Sequence, residues 1–229
     1  MATIGGATLI GARVPVTRAQ PVATPGSGIQ GAEGMLVREV SGLPQATPGK
    51  IECVAWATSG NTAYFVFQNA TDAEIILTQS TAKALDAAGA TIAESDPAEY
   101  CPYRFAAGSY GLGYASFPTD VSGAASISPS FETKPLSSST GKLANLTVTD
   151  LQVESEIRVT VTLENPTDTT FDFAAIHVLF FDDQMKLVGG CHDVALKVAA
   201  KASTTVNSVV VWGAPTNRFL AAALGAMGR

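Results

Sequence analysis

Charge is scarce in this 229-residue chain: 15% of its residues are Asp, Glu, Lys or Arg, and only two are histidines. With 46% hydrophobic residues, that balance excludes a disordered, charge-rich polypeptide and leaves enough apolar side chain for a core. Basic residues are the scarcer sign, 14 Lys+Arg against 20 Asp+Glu for a net charge of -6. Duplex nucleic acid needs a basic surface, so nucleic acid is excluded as a partner on charge grounds. No run of about 18 apolar residues occurs, and no membrane-spanning helix is expected. The length suits one large domain or two small ones of roughly 100–150 residues each.

Cysteine is also sparse. Cys53, Cys101 and Cys191 are odd in number and lack C-x-x-C spacing, which argues against a disulfide scaffold and against a zinc or redox site. Each is read as a buried free thiol. A secretory signal is missing from the start of the chain, where the first basic residue is Arg13 and Gly5, Gly6 and Gly11 break the apolar stretch. The expectation is a chain not exported by that route, or one that begins after processing. Asn69-Ala70-Thr71 and Asn145-Leu146-Thr147 fit the glycosylation sequon, which has meaning only in a glycosylating pathway.

What is present is β-structure. Residues 1–35 hold seven glycines and three prolines among short apolar clusters, and read as an extended N-terminal arm. Strand-like runs then follow, such as Thr62-Ala63-Tyr64-Phe65-Val66-Phe67 and Gly111-Leu112-Gly113-Tyr114-Ala115-Ser116-Phe117. A Ser/Gly/Pro-rich stretch over 126–140 reads as a linker. Beyond it, Ile157-Arg158-Val159-Thr160-Val161-Thr162-Leu163 alternates like a strand with one buried face. The last segment, 216–229, is apolar; Phe219, Leu220, Ala223 and Leu224 fall on one face at helical spacing, which predicts a short docked helix.

The second half repeats the first. At an ungapped offset of 96, Phe67-Gln68-Asn69-Ala70-Thr71-Asp72 lies over Leu163-Glu164-Asn165-Pro166-Thr167-Asp168, and Leu85-Asp86 over Phe181-Asp182. Each copy has the size and turn rhythm of an immunoglobulin-like sandwich. The fold expectation is therefore all-β: two tandem immunoglobulin-like β-sandwiches over 36–125 and 141–215, flanked by the arm and the apolar C-terminal segment. Asn165-Pro166-Thr167, followed by Val178-Leu179-Phe180-Phe181-Asp182 and Lys186-Leu187-Val188-Gly189, resembles the FxLYD-type immunoglobulin-like domain of bacterial envelope proteins. That resemblance implies a non-catalytic sandwich and carries over no catalytic residue.

No constellation for catalysis emerges, and the chain is read as a non-enzyme without cofactor or metal. In Cys191-His192-Asp193 the first two side chains point to opposite faces of a strand, out of hydrogen-bond reach. His177 lies inside a strand run and reads as a structural residue. Asp86 and the pair Asp182-Asp183 read as turn formers, too few for a calcium site. Gly108-Ser109-Tyr110-Gly111-Leu112-Gly113 lacks the ending of a phosphate loop. The candidate interaction residues are Ile4, Leu9, Ile10, Val14 and Val16 in the arm, Tyr110 and Tyr114 in the aromatic-rich loop, and Phe219 and Leu220 at the C-terminal end. Together these features point to a structural component of a protein assembly, such as a virion or particle surface, with terminal extensions lacing onto neighbouring copies or other proteins. The alternative is a binding module of the cell envelope or extracellular space.

Overall fold

The computed structural model describes residues 29–135, 142–210 and 212–227, which form β-strands and no helix. The all-β expectation holds. In chain order the strands are β1 (Leu36–Arg38), β2 (Ile51–Ser59), β3 (Thr62–Asn69), β4 (Ile75–Leu85), β5 (Thr91–Ser95), β6 (Glu99–Cys101), β7 (Arg104–Phe105) and β8 (Tyr110–Ser116). They continue with β9 (Ser126–Pro135), β10 (Leu143–Ser155), β11 (Arg158–Glu164), β12 (Phe171–Phe181), β13 (Leu187–Val198), β14 (Ser203–Val209), β15 (Trp212–Gly213) and β16 (Phe219–Ala226).

The first half stacks two antiparallel sheets, β2-β3-β8-β6 against one in which β4 is flanked by β9 on one side and by β5 and β7 on the other. The second half is one eight-stranded sheet folded over on itself. Its hinge is β10, which pairs with β16 through 143–146 and with β11 through 147–155. The β11–β14 wing thereby closes over the wing that contains β16, β12 and β13.

Three cores separate four layers. One fills the first half with Phe65, Phe67, Leu77 and Phe105, and another fills the second with Val161, Leu163, Ile176 and Phe180. The third lies between the halves, where Tyr64, Val66 and Leu112 meet Leu179, Phe181, Leu220 and Ala222. This explains two sequence patterns. On the outside, β11 alternates strictly: Val159, Val161 and Leu163 are buried and the residues between them are not. In the middle, β3 is buried at seven consecutive positions, because Phe65 and Phe67 enter one core while Tyr64 and Val66 enter another. A continuous apolar run marks a strand covered on both faces.

Glycines make one of these approaches possible. A Cβ on Gly113 would sit 2.0 Å from the Phe65 ring, and one on Gly111 would sit 2.1 Å from Phe105. The stretch read as an aromatic-rich loop is thus strand β8, and its glycines seat aromatic rings.

Three boundaries expected from sequence are corrected. Ser126–Pro135, read as linker, is β9 and pairs with β4 over its length, while 136–141 lie outside the described residues. The C-terminal segment is no helix: β16 is a strand of the second half's sheet, between β12 on one side and β10 with β1 on the other. Small alanines and two alternating sets of larger residues give it helical-looking composition, but burial on both faces favours the strand. Finally, β1 crosses over to pair with β16, and Val40, Leu43 and Ala46 enter the middle core, so the chain after the arm stitches the halves together.

Candidate functional site at the seam between the halves

Polar side chains are concentrated where the halves meet. Cross-strand pairing lines up Glu99, Tyr114 and Tyr64 on the first half, because Tyr114 is opposite both Glu99 and Tyr64. On the second half it lines up Ala222, His177 and His192 in the same way. The two rows face each other. The Tyr114 ring lies 4.0 Å from the His192 ring and 6.5 Å from that of His177, and Tyr64 reaches Trp212 at 5.3 Å. His177 is buried and its Nε2 stands 3.6 Å from a Glu99 carboxylate oxygen, an ion-pair distance that is too long for a good hydrogen bond.

Sequence reasoning treated the two histidines separately. Their pairing is nevertheless latent in the hairpin. Asp182 Oδ1 accepts from the N–H groups of Gln184 and Lys186 at 2.9 and 2.8 Å, closing a turn between β12 and β13. Antiparallel strands leaving that turn bring residue 177 opposite 192 and 178 opposite 191. Cys191 and His192 consequently point to opposite faces, as the alternation required, with Cys191 in the second half's core. Burial pushes the Cys191 thiol up to about 12, so it is protonated and no nucleophile at neutral pH. The same cause raises Cys53 to about 12, and Cys101 is raised as well.

Burial pulls the pKa of His192 below its ordinary 6.5, helped by the neighbouring His177 and opposed by Glu99 and Asp193. The His177 imidazole holds the Glu99 carboxyl below its usual range. As pH falls through about 6.5 the unfolded chain takes up a proton on residue 192 before the folded chain does, so stability declines towards the folded pKa. The expected result is a urea midpoint that drops between about pH 7.5 and about pH 5.5, with His192→Gln flattening the slope. An unchanged slope in that variant would assign the effect elsewhere.

The residues expected to bind partners fall in several places. Ile4, Leu9, Ile10, Val14 and Val16 lie outside the described residues. Tyr110 is 2% exposed, with its hydroxyl within hydrogen-bond reach of Gln45 and Pro44, and Tyr114 lies within the seam. Phe219 and Leu220 are fully buried on opposite faces of β16 and are corrected from contact residues to core. Both sequon asparagines are engaged internally: Asn69 is fully buried, and Asn145 donates to Arg104 O at 3.0 Å while accepting from Tyr103 N–H.

Asn69 belongs to a motif that occurs twice. Its Nδ2 donates to the carbonyls of Ala73, Phe105 and Ala106, while its Oδ1 accepts from the N–H and hydroxyl of Thr71. Asn165 donates to Thr169, Val198 and Ala199 and accepts from Thr167 in the same manner. Asp86 accepts from Ala88 and Ala90 N–H, as Asp182 does from Gln184 and Lys186. Among the described residues no three His, Cys, Asp or Glu side chains group so as to hold a metal ion, and no helix is long and apolar enough to cross a membrane. No protein-family model and no curated protein matches the chain.

Proposed function

We propose that the protein is a non-catalytic structural component of a larger assembly, such as a virion or particle surface. In this reading two immunoglobulin-like sandwiches, related by duplication, form the body, and the N-terminal arm links it to neighbouring copies. The recurrence of the Asn-Thr and Asp turn motifs at one offset supports the duplication, and the FxLYD resemblance of the second half suits a sandwich of this kind. The observation that carries the assembly reading is the fused middle core. It packs a sheet of each half against the other, which suits a rigid building block, and it leaves edges and the terminal arm for association.

The test is the mass of the purified chain, by light scattering and electron microscopy, with and without residues 2–27. The full chain should form particles or higher oligomers, and the truncated chain should be a folded monomer with the same circular dichroism. A monomeric full chain would sink the reading. A second reading, a binding module of the envelope or extracellular space, is favoured by one patch: Phe173, Val194 and Leu196 are 38%, 50% and 79% exposed at one end of the β12–β13 face.

A further inference from the structure

The two halves close their sides differently. In the second half β10 belongs to both wings, so Leu146 and Val148 span the side of the sandwich and are buried there. Counting back 96 residues from 143–146 gives Thr47-Pro48-Gly49-Lys50. Here the chain turns instead: Lys50 N–H donates to Thr47 O at 3.1 Å, and Gly49 adopts a φ of 82°. The turn carries the preceding chain towards the middle core, where Ala46 N–H donates to Gln68 Oε1 at 2.7 Å. No strand among the described residues therefore seals the first half. Among the described residues β9 pairs with β4 alone and β2 with β3 alone. Between these edges lies a groove of about 400 Å³, walled by Lys50, Ile51 and Thr71 on one side and by Pro129, Phe131 and Thr133 on the other. Ile51 and Phe131 are only partly buried and give it apolar surface, the Phe131 ring lying 4.6 Å from Phe67.

We propose that this groove receives residues 8–16 of a second copy of the chain, added as a strand on the edge of β9; the choice of a second copy rests on the assembly reading above. An open edge offers unpaired N–H and C=O groups that an extended segment satisfies, and alternate side chains then fill the groove. The segment is matched to that task. Ile10, Ala12, Val14 and Val16 occupy every second position, so in an extended strand they share one face, with Arg13 on the other. Backbone donors alternate in step, so when the even-numbered residues bond β9 the missing N–H of Pro15 faces away from the ladder. Twelve residues, 17–28, separate the segment from Ile29, and an extended chain spans about 3.3 Å per residue, a reach of about 40 Å.

The test places a benzophenone photocrosslinker at the exposed Thr133 in an equal mixture of isotopically heavy and light full-length chains. Irradiation should join Thr133 of one chain to residues 8–16 of another, and Ile10→Asp with Val14→Asp should cut that product by at least about tenfold while leaving circular dichroism unchanged. Crosslinks to residues 8–16 of the same chain only would overturn the second copy as occupant. Particles that form while Thr133 crosslinks only outside residues 1–28 would overturn the groove and leave the assembly reading standing. A monomer without such crosslinks would overturn both.

Discussion

Removing residues 219–229 abolishes the fold of the second half. With β16 absent, β12 loses one of its two partners along 173–180, the start of β10 loses its own, and β1 loses the strand it pairs with. Two cores are opened at once, because Phe219, Ala221 and Ala223 fill one while Leu220 and Ala222 fill the other. The expected result is insoluble or protease-sensitive protein without a cooperative unfolding transition. A graded version keeps the chain intact. Phe219→Ala removes a fully buried ring that stands 6.2 Å from Phe180, and should cost about 3–5 kcal/mol in urea denaturation. A small domain has about 5–15 kcal/mol in hand, so that single change approaches the limit. If the truncated chain unfolds with the wild-type midpoint, β16 is dispensable and the layer arrangement is wrong.

Asn165→Ala should be the next most damaging change, with Asn69→Ala close to it. Each asparagine is fully buried and satisfies three carbonyls through its Nδ2 and a threonine N–H and hydroxyl through its Oδ1. Alanine removes the asparagine from all of these groups and leaves to Thr167 and Thr169 only their bond to each other, at a cost of about 2–4 kcal/mol. Aspartate separates the two roles of the amide. It preserves the acceptor for Thr167, but it turns a charged oxygen towards the carbonyls of Thr169, Val198 and Ala199. Asn165→Asp should therefore be at least as destabilised as the alanine variant at pH 7, measured as the shift in denaturant midpoint. An aspartate variant as stable as wild type would mean that the amide donors contribute nothing.

These residues also show what the sequence made legible. Asn69, Asn165, Asp86 and Asp182 stood out because the turn-forming part of their chemistry is local, with partners such as Ala73, Thr169, Ala88 and Gln184 within four residues, whereas the asparagines' bonds to Phe105, Ala106, Val198 and Ala199 are not. Strand alternation in β11 was legible for the same reason. The reading of β16 as a helix went astray because both faces of that strand are buried, which erases the period of two. Likewise β9 carries Pro129 and four serines or threonines among its first eight residues, a linker composition that an edge strand tolerates. The histidine pair needed the hairpin register and the seam needed the stacking of halves, and neither is a local property.

The four layers are joined by two unlike faces, which has a consequence for growth. The first half contributes the face of β3 and the second the face of β12, so the contact is heterologous, the kind that continues into an open filament unless something stops it. The stop is visible 96 residues along. Tyr64 and Val66, which face the neighbour, become Thr160 and Thr162, whose hydroxyls lie within reach of Asn207 and Thr205 across the outer strands. In the other direction His177 and Leu179 become Thr81 and Lys83, with the lysine ion-paired to Glu94 at 2.8 Å. Both ends of the stack are thus finished in hydroxyls and charge. Aromatic and aliphatic residues at these positions would expose a second face of the kind that the middle core buries, and Thr160→Tyr with Thr162→Val should raise the mass of the chain in light scattering if that finish is what limits face-to-face contact.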